Sequence, residues 1–119
     1  MPVRSLTSSV LKWPNRKTVD RAVRKWITRE VRKQGKLRRL GYFGSCAVGD
    51  WGVGSDLDLI AIVASASEPF ERRNLTWDLT PLPVPADLLV YTEEEWEKLR
   101  KKGGKFIRTL DLETVWIYP

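Results

Sequence analysis

The segment GSCAVGDWGVGSDLDL, residues 44–59, gives the clearest signal for the centre of the fold. It ends in an apolar run that continues to Val63, so that residues 56–63 predict a strand with a mostly buried tail. The run that precedes it, residues 38–43, predicts a second short strand, and Gly44 breaks that strand. Two strands joined by a glycine-containing segment are therefore expected at the centre of the fold.

Helix and strand signals alternate on both sides of this centre. Asn15 can cap a helix that starts at Arg16, carries an apolar stripe at three- and four-residue steps, and stops at Gly35. The later elements are a strand at 87–91, a helix from the capping box Thr92/Glu95 to about Lys102, a short helix at 106–110 and a strand at 115–118. This order predicts an α/β (α+β) fold, a small mixed sheet flanked by helices.

The domain organisation is expected to be simple. We predict that residues 1–119 form a single domain, with residues 1–14 as an extended N-terminal arm. The proline-rich segment 65–86 is expected to be irregular, with one helical turn near residues 70–74.

Composition excludes several classes of chemistry. The chain has one cysteine, Cys46, and no histidine, which removes an internal disulfide, the serine–histidine–aspartate triads and the histidine-ligated metal sites. The chain has no run that could span a bilayer and no secretory signal, so we expect a soluble, cytoplasmic protein.

Charge is distributed unevenly along the chain. Residues 1–40 hold 13 Lys and Arg against two acids, whereas the remainder is acidic and the net charge is +6. The basic first third, above all the helix at 16–33, could attract a nucleic acid or an acidic protein. It could equally be a solvated helix face in a protein adapted to heat, that is, from a thermophile.

Asp56 and Asp58 are the first candidates for chemistry. Residues two apart in a strand point to the same side, roughly 6.5–7 Å apart, so the two carboxylates share one face. No basic residue stands beside them in sequence to offset their repulsion. A divalent cation would do so, and Mg²⁺ prefers carboxylates together with phosphate oxygens and water.

Gly44 and Ser45 supply a second signal. They stand where a strand gives way to a helix start, and exposed amides and a hydroxyl there can hold a phosphate. A phosphate cradle upstream of an aspartate pair is typical of phosphoryl or nucleotidyl transfer, in which two metal ions clamp the attacking and leaving oxygens.

The pattern GSxAxGxxxxxSDxDL resembles the signature of the nucleotidyltransferase superfamily typified by DNA polymerase β. It is most similar to the minimal nucleotidyltransferases, and Gly44, Ser45, Ser55, Asp56 and Asp58 all stand at the family's spacing. The resemblance implies the polymerase β palm-like fold. It also implies a third carboxylate on a later strand, a place that Asp87 fits.

The same resemblance implies a function for each of these residues. Asp56, Asp58 and Asp87 would be the catalytic residues and the ligands of two Mg²⁺ ions. Gly44, Ser45 and Ser55 would bind the nucleoside triphosphate. The implied reaction transfers a nucleoside monophosphate, AMP from ATP, to an acceptor. In the family that acceptor can be a HEPN-domain partner protein in a toxin–antitoxin pair.

Two departures keep alternatives open. Relatives often carry arginine where this chain has Cys46 and Val48, so the triphosphate has fewer cations to bind. A non-catalytic antitoxin that docks on a helical partner is one alternative. A protein that binds tRNA or another nucleic acid through the helix at 16–33 is the other. The sequence leaves oligomeric state open.

Overall fold

The computed structural model describes residues 13–119. Most of the predicted N-terminal arm, residues 1–12, lies outside the described residues. Trp13 and Pro14 have no regular secondary structure, and Trp13 packs against the core beside the first helix.

Four strands and four helices, together with one 3₁₀ helix, make up the described fold. The elements, in chain order, are α1 (Arg16–Gln34), β1 (Leu37–Phe43), α2 (Ser45–Val48), β2 (Leu57–Val63), the 3₁₀ helix (Phe70–Thr76), β3 (Ala86–Thr92), α3 (Glu93–Lys102), α4 (Lys105–Glu113) and β4 (Val115–Tyr118). None of the helices within residues 13–119 combines the length and apolar character needed to cross a membrane.

The four strands form one mixed sheet in the order β3-β2-β1-β4. β1 runs antiparallel to both β2 and β4, while β2 and β3 are parallel. The end of β1 therefore lies at the same edge of the sheet as the starts of β2, β3 and β4. We call this edge the site edge.

One face of the sheet is covered by α1. Val19, Val23 and Trp26 of α1 are buried against residues that alternate along β2, among them Leu57 and Leu59. Asn15 accepts a hydrogen bond from the Thr18 amide, and Gly35 ends the helix with a left-handed φ of 62°. The apolar stripe predicted for this helix is thus the layer that buries one side of the sheet.

The opposite face is covered by α3 and α4. Ile60 and Ile62 of β2 point to this side and pack with Trp96, Ile107 and Leu110. The Thr92–Glu95 capping box fixes the start of α3 directly after β3. Asp58 precedes Ile60 by two residues and so belongs to this second face.

The predicted fold class is confirmed, and the element boundaries differ by only a few residues. Asp56 lies just before β2 rather than within it, so its relation to Asp58 is not fixed by strand pairing. The turn predicted near 70–74 is the longer 3₁₀ helix, and the short helix predicted at 106–110 runs from Lys105 to Glu113.

Candidate active site

Asp58 and Asp87 stand side by side at the site edge. They are register partners on the parallel strands β2 and β3, and this pairing places their side chains on the same face of the sheet. Asp56 is two residues upstream of Asp58 and exposed. Parallel pairing of two distant segments thus joins the predicted third carboxylate to the first pair.

The electrostatics of Asp58 reflect its burial and its two acidic neighbours. Burial raises the pKa of Asp58, and the charges of Asp87 and then Asp56 raise it further. Within residues 13–119, no lysine or arginine forms an ion pair with any of the three. The site edge therefore carries concentrated negative charge that a bound cation would stabilise.

Gly44 lies directly against the Asp58 carboxylate. A Cβ atom built on Gly44 would stand 2.5 Å from Asp58 Oδ2. The backbone has φ 68° and ψ −150° at this residue, a conformation essentially restricted to glycine. Glycine is thus required at residue 44 for two reasons, the backbone angles and the nearby Asp58 carboxylate.

Ser45 opens the four-residue helix α2 immediately after this turn. The Gly44 carbonyl accepts hydrogen bonds from the amides of Ala47 and Val48, and Gly49 ends the turn with a φ of 88°. The first amides of a helical turn have no partner within that turn, and here they follow directly on the residue that touches Asp58. The predicted neighbours Gly44, Ser45 and Asp58 are thus brought together.

Ser55 has a local structural contact. Its hydroxyl accepts a hydrogen bond from the Gly52 amide at 3.0 Å, and its own amide donates to the Gly52 carbonyl at 3.0 Å. This closes a tight loop just before Asp56. The contact fixes the approach of the chain to the carboxylates, and nucleotide binding by Ser55 stays a prediction.

Sequence reasoning missed two residues that shape the site. Arg16, in the first turn of α1, donates from Nε to the Cys46 carbonyl and so ties α2 to α1. Phe43 is the register partner of Asp58 on β1, and its ring meets that of Phe106. The Arg16 contact joins residues 30 apart in the sequence, so no local sequence pattern predicts it.

The departures at Cys46 and Val48 have different surroundings. Cys46 is fully buried in the core, and burial raises the pKa of its thiol. Val48 is 49% exposed. Residue 48 therefore presents an apolar side chain to solvent, whereas residue 46 faces the interior.

A hard divalent cation suits the donor set at the site edge. The available donor atoms are the oxygens of paired carboxylates, which are ligands that Mg²⁺ prefers. Residues 13–119 contain no cluster of three or more His, Cys, Asp or Glu side chains close enough to enclose an ion. Magnesium does not need such a cage, because it usually takes one or two carboxylates and completes its shell with phosphate oxygens and water.

Comparison with known proteins yields a family match and a structural match. The nucleotidyltransferase domain family matches residues 24–111, which span α1 to α4 and include all three aspartates. No curated protein matches the chain. A solved structure from Sulfolobus solfataricus, that of a protein proposed to be a nucleotidyltransferase, superposes with a TM-score of 0.61. The two chains are 17% identical over 85% of this chain and 80% of that one, a likeness that supports the fold.

The match covers most of the chain and contains the strand pair, the glycine turn and the aspartates that the sequence singled out. This chain belongs to the nucleotidyltransferase domain family.

Proposed function

We propose that this chain, as a single domain, transfers a nucleoside monophosphate, AMP from ATP, onto an acceptor group. One observation carries the proposal: Asp58 lies between Asp87 on the next strand and Gly44, at the turn that we propose binds phosphate. A triphosphate held at the turn would bring its phosphates directly beside the carboxylates. That juxtaposition is what metal-assisted nucleotidyl transfer requires.

Each residue has a distinct role in this proposal. Asp56 and Asp58 would hold metal ions for the triphosphate, and Asp87 would hold the catalytic metal ion and draw the proton from the acceptor hydroxyl. Gly44 and Ser45 bind the β- and γ-phosphates through backbone amides and the hydroxyl, and Ser55 shapes the loop and adds a donor. Two Mg²⁺ ions, when bound, would supply most of the charge stabilisation as pyrophosphate leaves.

The acceptor we propose is a protein, a HEPN-type partner in a toxin–antitoxin pair. Exposure of Asp56 and Asp87 supports this, since a side chain of a second protein can reach both from solvent. The transfer would then modify a hydroxyl of the docked partner.

A labelling assay tests the proposal. The protein, Mg²⁺, ATP labelled at the α-phosphate and the protein encoded by the adjacent gene are incubated together, and labelled partner is expected. Asp58→Asn and Asp87→Asn keep side-chain size but remove charge, and each should abolish labelling. Asp78→Asn is the matched control, because Asp78 is exposed and lies near Lys33 at the far end of α1. Labelling that persists in Asp58→Asn would overturn the catalytic assignment.

A non-catalytic antitoxin is the second candidate, and Val48 favours it. An exposed valine stands where relatives often carry a cation, which weakens the case for tight triphosphate binding. Thermal-shift titration separates the two candidates. Stabilisation by ATP only when Mg²⁺ is present supports the enzyme, and no shift at saturating ATP supports the docking protein.

Nucleic-acid binding through α1 is the third candidate, and the surface of that helix favours it. Its exposed basic residues are Arg16, Lys17, Arg21, Arg24, Lys25, Arg29, Arg32 and Lys33. If tRNA binds this face, its affinity should fall steeply between 50 and 200 mM salt, on the order of 10³-fold or more for six phosphate contacts. Binding of labelled tRNA that is absent or insensitive to salt removes this candidate.

A further inference from the structure

We propose that an aromatic groove on the sheet face that carries Asp58 binds the nucleobase of the substrate nucleotide. The groove lies between the 3₁₀ helix, α3 and α4, and its apolar lining is Phe70, Tyr91, Leu99, Phe106 and Ile107. The inference rests on the proposed function, because it assigns a place to the base of the same nucleotide whose phosphates lie at Asp58.

The groove has the size and surface of a small-molecule site. Its volume is about 540 Å³, within the roughly 300–1,000 Å³ that ligand pockets occupy. Phe106 is 54% exposed and Phe70 is 38% exposed. Two large rings open to solvent at one groove are a surface on which a flat ligand can stack.

Two features relate the position of the groove to that of the carboxylates. Phe43 pairs with Asp58 across β1 and β2, and its ring meets that of Phe106 edge-on at 6.5 Å between centroids. Tyr91 lies four residues after Asp87 on the same side of β3, roughly 13 Å along the strand. Both features lie on the sheet face that carries Asp58, so a nucleoside that runs from the phosphates along this face would reach the groove.

The chemistry of the groove suits a base better than a phosphate. The charged groups at its rim already have partners: Glu95 pairs with Arg73 at 2.6 Å, and Lys98 pairs with Glu94 at 2.9 Å. What remains is aromatic surface, on which any base can stack through its π-face. Phe70 and Tyr91 are already packed together at 5.0 Å, which gives one wall of fixed orientation.

Calorimetry with two kinds of ligand separates the base site from the phosphate site. Inorganic tripolyphosphate with Mg²⁺ probes the phosphate site alone, and ATP, GTP, CTP and UTP with Mg²⁺ probe both. We expect the tightest nucleotide to bind about 5- to 150-fold more tightly than tripolyphosphate, the range for one stacked base. Phe106→Ala should remove most of this advantage and leave tripolyphosphate affinity unchanged.

Leu112→Ala is the matched control. Leu112 lies on the same helix α4, is 83% exposed and does not line the groove, so its removal should change neither affinity. Equal binding of nucleotides and tripolyphosphate to the wild-type protein would overturn the base site while leaving the proposed function intact. An unchanged nucleotide affinity in Phe106→Ala would also overturn the base site. That result is expected if the groove receives an aromatic side chain of the acceptor. Failure of every ligand to bind would overturn the proposed function together with this inference.

Discussion

Replacement of Gly44 by alanine tests the packing at the centre of the site. The added Cβ would meet Asp58 Oδ2 at 2.5 Å, while the Asp58 Cγ and Cβ atoms stand farther away at 3.5 and 3.7 Å. The Asp58 carboxylate can therefore avoid the methyl group only by rotating away from its present position. We expect Gly44→Ala to lower stability and, through displacement of Asp58, to weaken binding of ATP with Mg²⁺.

The expected magnitude has two parts. An alanine forced into the Gly44 backbone conformation costs about 1–3 kcal/mol. An Asp58 side chain pushed out of its preferred rotamer adds about 0.5–1.5 kcal/mol. The free energy of unfolding should thus fall by about 1.5–4.5 kcal/mol.

Gly49→Ala supplies the matched control. Gly49 also has a positive φ, 88°, but a Cβ atom at this residue would have no neighbour within 4 Å, so its alanine variant carries backbone strain alone, about 1–2 kcal/mol. Urea unfolding of both variants, with and without Asp58→Ala, isolates the contact. Gly44→Ala should couple to Asp58→Ala by about 0.5–1.5 kcal/mol, and Gly49→Ala should not. Equal losses of stability in Gly44→Ala and Gly49→Ala, without coupling of Gly44→Ala to Asp58→Ala, would contradict this prediction.

Three further predictions concern stability. Asp58→Asn removes the repulsion between Asp58 and Asp87, which is worth about 0.7–3 kcal/mol for two charges roughly 6 Å apart. Because Asp87 is exposed, we expect a gain in stability of about 1 kcal/mol, seen as a Tm about 3–5 °C higher at pH 7 without metal. A lower Tm would contradict this. The Arg73 hydrogen bonds lower the pKa of Glu95 from 4.5 to about 2, so their stabilisation is complete above pH 4.5 and lost as pH falls towards 2. Because the Glu95 side chain is 40% exposed, the free energy of unfolding should fall by about 1–2 kcal/mol over this pH range. Acid unfolding of Glu95→Gln should not show this fall. Tyr42→Phe removes the 2.7 Å hydrogen bond to Asp20 and should cost about 1 kcal/mol in urea unfolding, whereas no loss would show that the bond contributes nothing.

Local signals were sufficient to predict most of the elements. Asn15, Gly35 and the Thr92–Glu95 box act within one turn of the backbone they cap, so sequence alone located the ends of α1 and the start of α3. The same holds for Gly44, whose break after β1 is a property of one residue.

Non-local contacts could not be predicted in this way. The strand order, the pairing of Asp58 with Asp87 and the Arg16 contact to Cys46 depend on how distant segments meet. The family resemblance anticipated the pairing of the aspartates, since spacing alone says nothing about which strands are neighbours. The Phe43–Phe106 contact had no sequence signal, because the two rings meet only after α4 packs on the sheet.

Our proposal requires Asp58 and Asp87 to hold a divalent cation beside the Gly44–Ser45 turn. Crystals grown with Mn²⁺ and a non-hydrolysable ATP analogue would test it through the anomalous scattering of the metal. We expect an anomalous peak that is bound by oxygens of both aspartates and of the phosphates, with the phosphates at the turn. A nucleotide bound elsewhere, or a metal that contacts neither Asp58 nor Asp87, would contradict it.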